Sequence, residues 1–210
     1  MAYIGIVGPY AIGKTTAINC LVDWLKIEQR KLRHAVVCVN CDNNREREWF
    51  SGELEDTAWK SHVRWKGTAD EKSEELDYCF GDETGLWVCE TNRTDHIRLT
   101  GGLMDFDGNR LHKRGRGGEF IVLTCGPDAL RQFLIDRCVR ANKQFRADYW
   151  DHKRLVYECH DRYINAARRY LDPIKFPYKV YNVDPERRMW DEIMSHLIDS
   201  VQRPIESWYK

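Results

Sequence analysis

The sequence predicts an α/β fold, with a five-stranded, mostly parallel sheet that carries helices on both faces. Two observations support this prediction. Short apolar runs alternate with segments of helical spacing, and such alternation implies parallel strands joined by crossover helices. The runs are also almost continuously apolar, as expected of strands that are buried on both faces. No internal repeat and no Pro- or Ser-rich linker interrupts the chain, so residues 1–210 are predicted to form one domain.

The predicted strands are the five short apolar runs, at residues 3–7, 34–40, 86–90, 120–124 and 178–183. Apolar residues at spacings of three and four predict helices at residues 15–27, 128–141, 149–170 and 185–201. The charged segment 42–77 is also predicted to be helical, with an apolar face formed by Trp49, Phe50, Leu54, Trp59 and Val63. Residues 100–118 depart from this pattern, because Asp107-Gly108-Asn109 is typical of a hairpin turn.

Composition excludes some classes of protein. The chain has 33 Lys and Arg against 33 Asp and Glu, so bulk charge does not indicate a nucleic-acid-binding protein, and such a role needs a local basic patch. No apolar stretch approaches the roughly 20 residues that span a membrane. The first residues lack the basic and apolar regions of a signal peptide. We therefore expect a cytoplasmic protein.

The eight cysteines fit the same compartment, since most lie within apolar runs, where reduced thiols pack as small apolar groups. Cys38 and Cys41 form a CxxC pair. A zinc site requires a second pair at matching spacing, which the sequence lacks, and a metal or redox role is not favoured.

A phosphate-binding motif stands at the start of the chain. Residues 8–15 read GPYAIGKT and fit G-x-x-x-x-G-K-[ST], between a predicted strand and a predicted helix, which is the context that this P-loop motif requires. Its backbone N–H groups and the helix N-terminus can surround a polyphosphate. In this motif Lys14 would reach the β- and γ-phosphates and the Thr15 hydroxyl would coordinate Mg²⁺. The candidate nucleotide-binding residues are Gly8, Tyr10, Ala11, Ile12, Gly13, Lys14, Thr15 and Thr16.

Polar residues follow the second and third predicted strands, whose carboxyl ends face the ligand crevice of a parallel sheet. After the second strand, Asp42 could accept a proton from an attacking hydroxyl and Arg45 could position the acceptor; Asp42 could equally cap the following helix. After the third strand, Glu90 stands where a carboxylate holds Mg²⁺ directly or through water, and Arg93 would lie toward the acceptor. The alternative for Glu90 is an exposed carboxylate at a strand end.

Two arginines lie three residues apart on the helix predicted at residues 128–141 and therefore share one face. Phosphoryl transfer develops negative charge on the γ-phosphate oxygens, and Arg137 and Arg140 could stabilise it. The alternative is a solvated basic face of the helix.

Taken in order, these segments resemble the thymidylate-kinase-like branch of the P-loop kinases. The matching stretches are GPYAIGKTT, ETNR, PDALRQFLIDRCVR, the helical segment from Tyr149 and the terminal strand and helix KVYNVDPERRMWDEIMSHLI. The resemblance implies ATP and Mg²⁺ as cofactors, a lid at about residues 137–150, and Asp184 and Pro185 beside the adenine. Two departures concern the acceptor side: the third-strand motif begins with glutamate, and residues 42–85 and 100–118 form insertions there.

The acceptor side resembles other kinases. Residues Asp42 to Arg45 are similar to the D-x-x-R of adenylylsulfate kinase and the phage polynucleotide kinase, whose acceptors are hydroxyls. A hydroxyl benefits from a general base, whereas a phosphate acceptor is already anionic. The most specific family that the sequence resembles is that of the phage kinases that phosphorylate 5-hydroxymethyluridine in DNA, which would place the protein in the host cytoplasm. For a DNA acceptor, Arg114 and Arg116 of the basic, glycine-rich segment would meet backbone phosphates, unless that segment is a solvated connection.

We therefore expect an ATP-dependent kinase acting on a hydroxyl of a nucleoside or nucleotide unit, free or within DNA. Two alternatives stay open: a nucleoside monophosphate kinase of the thymidylate type, and a P-loop ATPase or switch without a small-molecule acceptor. The sequence leaves open the choice between ATP and GTP, as well as a homodimeric assembly, and it indicates no membrane partner.

Overall fold

The computed structural model describes residues 2–28, 36–40, 48–52, 57–61, 86–92, 94, 97, 118–159, 161–185 and 189–207. Its strands are β1 (Ala2–Val7), β2 (Val36–Asn40), β3 (Glu48–Gly52), β4 (Thr57–Ser61), β5 (Leu86–Thr91), β6 (Gly118–Thr124) and β7 (Tyr178–Asn182). Its helices are α1 (Lys14–Glu28), α2 (Pro127–Arg140), α3 (His152–Cys159), α4 (Arg162–Tyr170) and α5 (Met189–Ser207). Within these described ranges, no helix combines the length and apolar character that crossing a membrane requires.

The strands form one sheet in the order β4-β3-β2-β5-β1-β6-β7. The run from β2 to β7 is parallel throughout, whereas β3 pairs antiparallel with both β2 and β4. The predicted α/β class with a largely parallel sheet is confirmed, but the described residues already form seven strands in this sheet rather than five. Ligands of such sheets bind beyond the carboxyl ends of the strands, at the point where the strand order reverses. Here β1 lies between β5 and β6, so this point is at the carboxyl end of β1.

The segment predicted as a helix at residues 42–77 is the main correction to the fold. Its described parts are strands β3 and β4, five residues each, paired with Phe50 opposite Trp59. Aromatic residues and threonine favour strands, and the free edge of β2 supplies hydrogen-bond partners for β3. Trp49, Phe50 and Trp59, predicted to lie on one helical face, are therefore in two short strands, and periodicity alone does not distinguish such a pair from one helix.

The helix predicted at residues 149–170 is two helices. Residues 149–151 lie in the turn before α3, and Asp161 adopts a left-handed conformation (φ 45°) between α3 and α4. Aspartate tolerates this conformation better than most residues with a Cβ, so the chain can turn there. The change of direction lets α4 pack on β6 and buries Tyr163 completely, with its hydroxyl donating to the carbonyl of Asn92 at 2.7 Å.

Two of the other helices lie close to their predictions, since α1 and α2 differ from the predicted bounds by about one residue at each end. The last helix, predicted at residues 185–201, is described as α5 from Met189 to Ser207 and so ends six residues later than predicted; residues 186–188 are not described. A network anchors α5 to the sheet: His196 lies 2.7 Å from the Tyr181 hydroxyl and 3.0 Å from the Glu119 carboxylate.

The core lies between the parallel strands and the helices. Ile4 and Ile6 of β1 are almost completely buried on one face of the sheet, in a cluster with Ile18 of α1 and Leu197 of α5. On the opposite face, Gly5 leaves room for another side chain, because a Cβ at that position would lie 2.3 Å from the Phe120 ring. Burial on both faces explains why β1 is apolar throughout and holds the loop that follows it in place.

Candidate active site

The loop between β1 and α1 has a backbone shape that requires glycine at two of its positions. Ala11 and Gly13 both have positive φ, of 68° and 102°. A Cβ on Gly8 would lie 2.6 Å from the carbonyl oxygen of Leu123, and one on Gly13 would lie 2.4 Å from the Trp190 ring. Neither glycine can therefore carry a side chain without a local rearrangement. The left-handed conformation at Ala11 costs about 1–2 kcal/mol, and such strain is concentrated at functional sites.

Lys14 lies at the first position of α1 with its side chain inside this loop. It is only 6% exposed, and its Nζ donates to the carbonyl oxygens of Gly8 at 3.0 Å and Pro9 at 2.9 Å. A buried ammonium group is costly unless it is hydrogen-bonded, so these carbonyls hold the charge in place. The loop thus closes around a cation beside the N-terminus of a 15-residue helix, an arrangement that suits an anionic ligand.

The next residue connects the loop to β5. Thr15 Oγ1 donates to Glu90 Oε1 at 2.8 Å, and Glu90 is 1% exposed at the carboxyl end of β5, opposite Ile6 in the parallel register. A hydroxyl and a carboxylate oxygen are ligands that Mg²⁺ prefers, and Mg²⁺ in nucleotide enzymes is held by one or two such groups together with phosphate oxygens. The two side chains therefore fit the Mg²⁺ that the sequence predicts. The exposed strand-end alternative for Glu90 is wrong, because the side chain is buried.

Arg137 and Arg140 were both predicted to stabilise charge on the γ-phosphate, and of these two Arg137 lies beside the loop. The Arg137 guanidinium carbon lies 4.0 Å from the centre of the Tyr10 ring, a cation–π contact between α2 and the phosphate loop. Arg140 is exposed one turn further along, where its Nε donates to the carbonyl oxygen of Asp136 at 3.3 Å. The remaining loop residues differ in exposure: Ile12 is buried in the core cluster, whereas Thr16 is exposed on α1.

The predicted lid, at about residues 137–150, begins in the last turn of α2 and continues through a turn that Phe145 and Trp150 pack against the core. Arg146 and Asp148 form an exposed ion pair of 3.0 Å there. Such exposed pairs contribute little to stability, so the packed aromatic residues are the main attachment of this segment.

A cleft of about 370 Å³ opens between the start of α2 and the end of β7. Asp184 and Pro185, predicted to border the adenine, line one wall. The sequence reasoning missed the other lining residues, which are Gly126, Asp128, Ala129, Gln132, Asn182 and Val183. Their positions directly after β6 and β7 could have indicated them, because strand ends at this edge of a parallel sheet face the ligand.

Two buried thiols support the wall of this cleft. Cys125 and Cys159 have their sulfurs 3.8 Å apart, and the Cys159 thiol donates to the carbonyl oxygen of Gly126 at 3.7 Å. The contact ties the end of α3 to the loop after β6. The predicted buried, reduced state holds for this pair, since Cys125 is 4% exposed and Cys159 2% exposed.

The thiol pair gives a prediction about chemical reactivity. The hydrogen bond with Cys159, together with burial, raises the pKa of the Cys125 thiol above its usual value and so disfavours the thiolate. Because the thiolate is the reactive form, iodoacetamide at pH 8 is expected to modify the exposed Cys20 well before Cys125. Peptide mass spectrometry over a time course measures both rates. Equal rates would mean that the loop after β6 opens readily.

Several predicted residues lie outside the described part of the chain. These are Asp42, Arg45, Arg93, Arg114 and Arg116. Cys41 and most of the two predicted insertions are outside it as well, so the acceptor side stays a prediction from sequence.

Comparison with known proteins gives little further information. No protein-family model matches the chain, and no curated protein matches it. Among solved structures, the chain is similar to a crystal structure of shikimate kinase from Bacteroides thetaiotaomicron, with 15% sequence identity and a TM-score of 0.43 over 96% of this chain and 98% of that one. Because this likeness is slight, the functional argument depends on the geometry of the loop.

Proposed function

We propose that this protein is an ATP-dependent P-loop kinase that phosphorylates a hydroxyl of a nucleoside or nucleotide unit, including such a unit within DNA. The observation that carries the proposal is the convergence of three side chains at one end of β1. Lys14 and Thr15 begin α1 directly after the phosphate-binding loop, and Glu90 lies near the end of β5, the parallel neighbour of β1. Lys14 bonds to the loop carbonyls, and Thr15 bonds to Glu90.

ATP would bind along this edge of the sheet. Its β- and γ-phosphates would lie at the N-terminus of α1, where Lys14 Nζ exchanges the carbonyls of Gly8 and Pro9 for phosphate oxygens. Thr15 and Glu90 would hold Mg²⁺, which would neutralise part of the phosphate charge. The base would occupy the cleft that Asp184 and Pro185 line.

Arg137 supports transfer rather than nucleotide binding alone. Its guanidinium already lies against a residue of the phosphate loop, so a short movement can bring it to the γ-phosphate. Arginine stabilises the negative charge that develops there during transfer.

The acceptor part of the proposal rests on the sequence. The hydroxyl oxygen would attack the γ-phosphorus, the bond to the β–γ bridging oxygen would break, and the hydroxyl proton would pass to Asp42. Arg45 and Arg93 would orient the acceptor, while Arg114 and Arg116 would contact the phosphates of a DNA acceptor. ADP leaves with the bridging oxygen.

The test is transfer of radiolabelled phosphate from [γ-³²P]ATP, with Mg²⁺, to three acceptors offered in parallel. These are duplex DNA containing 5-hydroxymethyluracil, the same duplex with thymine, and a mixture of free nucleosides and nucleoside monophosphates. We expect label on the hydroxyl-bearing acceptor, and a DNA affinity that falls steeply with salt if DNA is the substrate. Label on monophosphates alone would favour the thymidylate-type alternative, and phosphate release without an acceptor would favour the ATPase.

A further inference from the structure

Tyr10 is an unusual residue for the tip of a phosphate-binding loop, because it is aromatic and 41% exposed. Its ring is covered by the Arg137 guanidinium, whose central carbon lies 4.0 Å from the ring centre. Within the described part of the chain no carboxylate pairs with Arg137. The positive charge is therefore held next to the loop by an aromatic face and is left available to an anion.

The backbone of Tyr10 is fixed on both sides. The carbonyl of the preceding Pro9 accepts a hydrogen bond from Lys14, and the following Ala11 is held in the left-handed conformation. The point from which the Tyr10 side chain leaves the backbone is thus held by the phosphate loop itself. Arg137, in contrast, is an exposed and long side chain near the end of α2, and it would sample many rotamers without a partner.

We propose that Tyr10 is a positioning residue that uses its aromatic face to hold Arg137 above the phosphate loop, ready to meet the terminal phosphate of the bound nucleoside triphosphate. The inference rests on the proposed kinase function and adds a residue that acts through Arg137 rather than on the substrate. The ring is the important part of the side chain, because the contact is with its face.

Two variants of Tyr10 test the contribution of its aromatic ring separately from that of its hydroxyl. Tyr10→Phe keeps the aromatic face and is expected to retain kcat within about twofold, whereas Tyr10→Leu is expected to lower kcat about five- to tenfold. The dissociation constant of ATP, from calorimetry, should change less than about twofold in both, because a contact that acts mainly in the transition state lowers kcat rather than affinity.

Tyr157→Leu is the matched control. Tyr157 is 64% exposed on α3 and contacts Arg162 by the same type of interaction, at 5.1 Å, so its replacement removes a cation–π contact away from the loop. We expect no change in kcat. A loss equal to that of Tyr10→Leu would mean that exposed tyrosines act through general stability.

A double-mutant cycle tests whether Tyr10 acts through Arg137. In the Arg137→Ala background, Tyr10→Leu should cause no further loss of kcat, since the group that it positions is absent. Independent, multiplicative losses would overturn the proposal, as would an unchanged kcat in Tyr10→Leu or an equal loss in Tyr10→Phe.

A spectroscopic measurement separates this inference from the kinase function. Because the Arg137 guanidinium lies over the Tyr10 ring, the Arg137 Hε proton should resonate upfield in the wild type and in Tyr10→Phe, but not in Tyr10→Leu. If the wild type transfers no phosphate to any acceptor, the proposed function fails, and the same proton still decides the positioning role. Its resonance should move on addition of ATP in the wild type and not in Tyr10→Leu; a resonance that lacks the upfield shift, or that ATP leaves in place, would overturn the proposal.

Discussion

Replacement of Lys14 by alanine is expected to lower kcat for phosphoryl transfer by about 10³-fold, since removal of one pre-organised donor from a water-excluded site commonly costs about 10²–10³ and Lys14 also carries a full charge. In the structure this ammonium group is almost completely buried inside the loop, where it donates to the carbonyls of Gly8 and Pro9. No other side chain of the loop can supply a cation there, because the rest of the motif is apolar or neutral.

The measurement needs two controls, one for folding and one for charge. Lys14→Ala leaves the carbonyls of Gly8 and Pro9 without their donor, which can cost about 1–3 kcal/mol, so thermal unfolding must show that the variant is folded at the assay temperature. Lys153→Ala removes an exposed lysine of α3, outside the predicted lid, and should leave kcat unchanged. Near wild-type turnover in a folded Lys14→Ala protein would remove the kinase proposal.

The phosphate loop could be predicted from sequence because its requirements are local. Gly8 and Gly13 must lack a Cβ, Lys14 must follow directly, and the loop must stand between a buried strand and a helix; all of this is readable in residues 3–27. The parallel strands were equally readable, because burial on both faces leaves an almost continuous apolar run.

The structural features that could not be predicted from the sequence depend on contacts between residues that are distant in the chain. Residues 48–52 form a strand because the free edge of β2 is available, and no local pattern records that edge. The break at Asp161 places Tyr163 against the loop after β5, which is a tertiary requirement rather than a helical one. The contact of Arg137 with Tyr10 joins residues far apart in sequence, so spacing could indicate only that Arg137 shares a face with Arg140.

Replacement of Glu90 by glutamine is expected to raise the Mg²⁺ concentration needed for half-maximal activity by about 10- to 100-fold, the range seen when a metal site loses a supporting group. The change is conservative in shape. The amide oxygen of glutamine can still accept the hydrogen bond from Thr15 that Glu90 Oε1 accepts at 2.8 Å, so the loop should keep its structure while the charge is lost. Activity is measured against Mg²⁺ concentration at saturating ATP.

Glu119→Gln is the matched control, because Glu119 is a partly buried glutamate that is bonded to His196 on α5 rather than to Thr15. Its Mg²⁺ requirement should equal that of the wild type. In the Glu90 variant, excess Mg²⁺ should restore most of the activity, since the residue supplies affinity for the cation rather than a proton. An unchanged Mg²⁺ requirement would show that Glu90 serves only as the acceptor that holds Thr15 at the start of α1; in that case Thr15→Ser, which keeps the hydroxyl, and Thr15→Ala should differ in thermal stability but not in Mg²⁺ dependence.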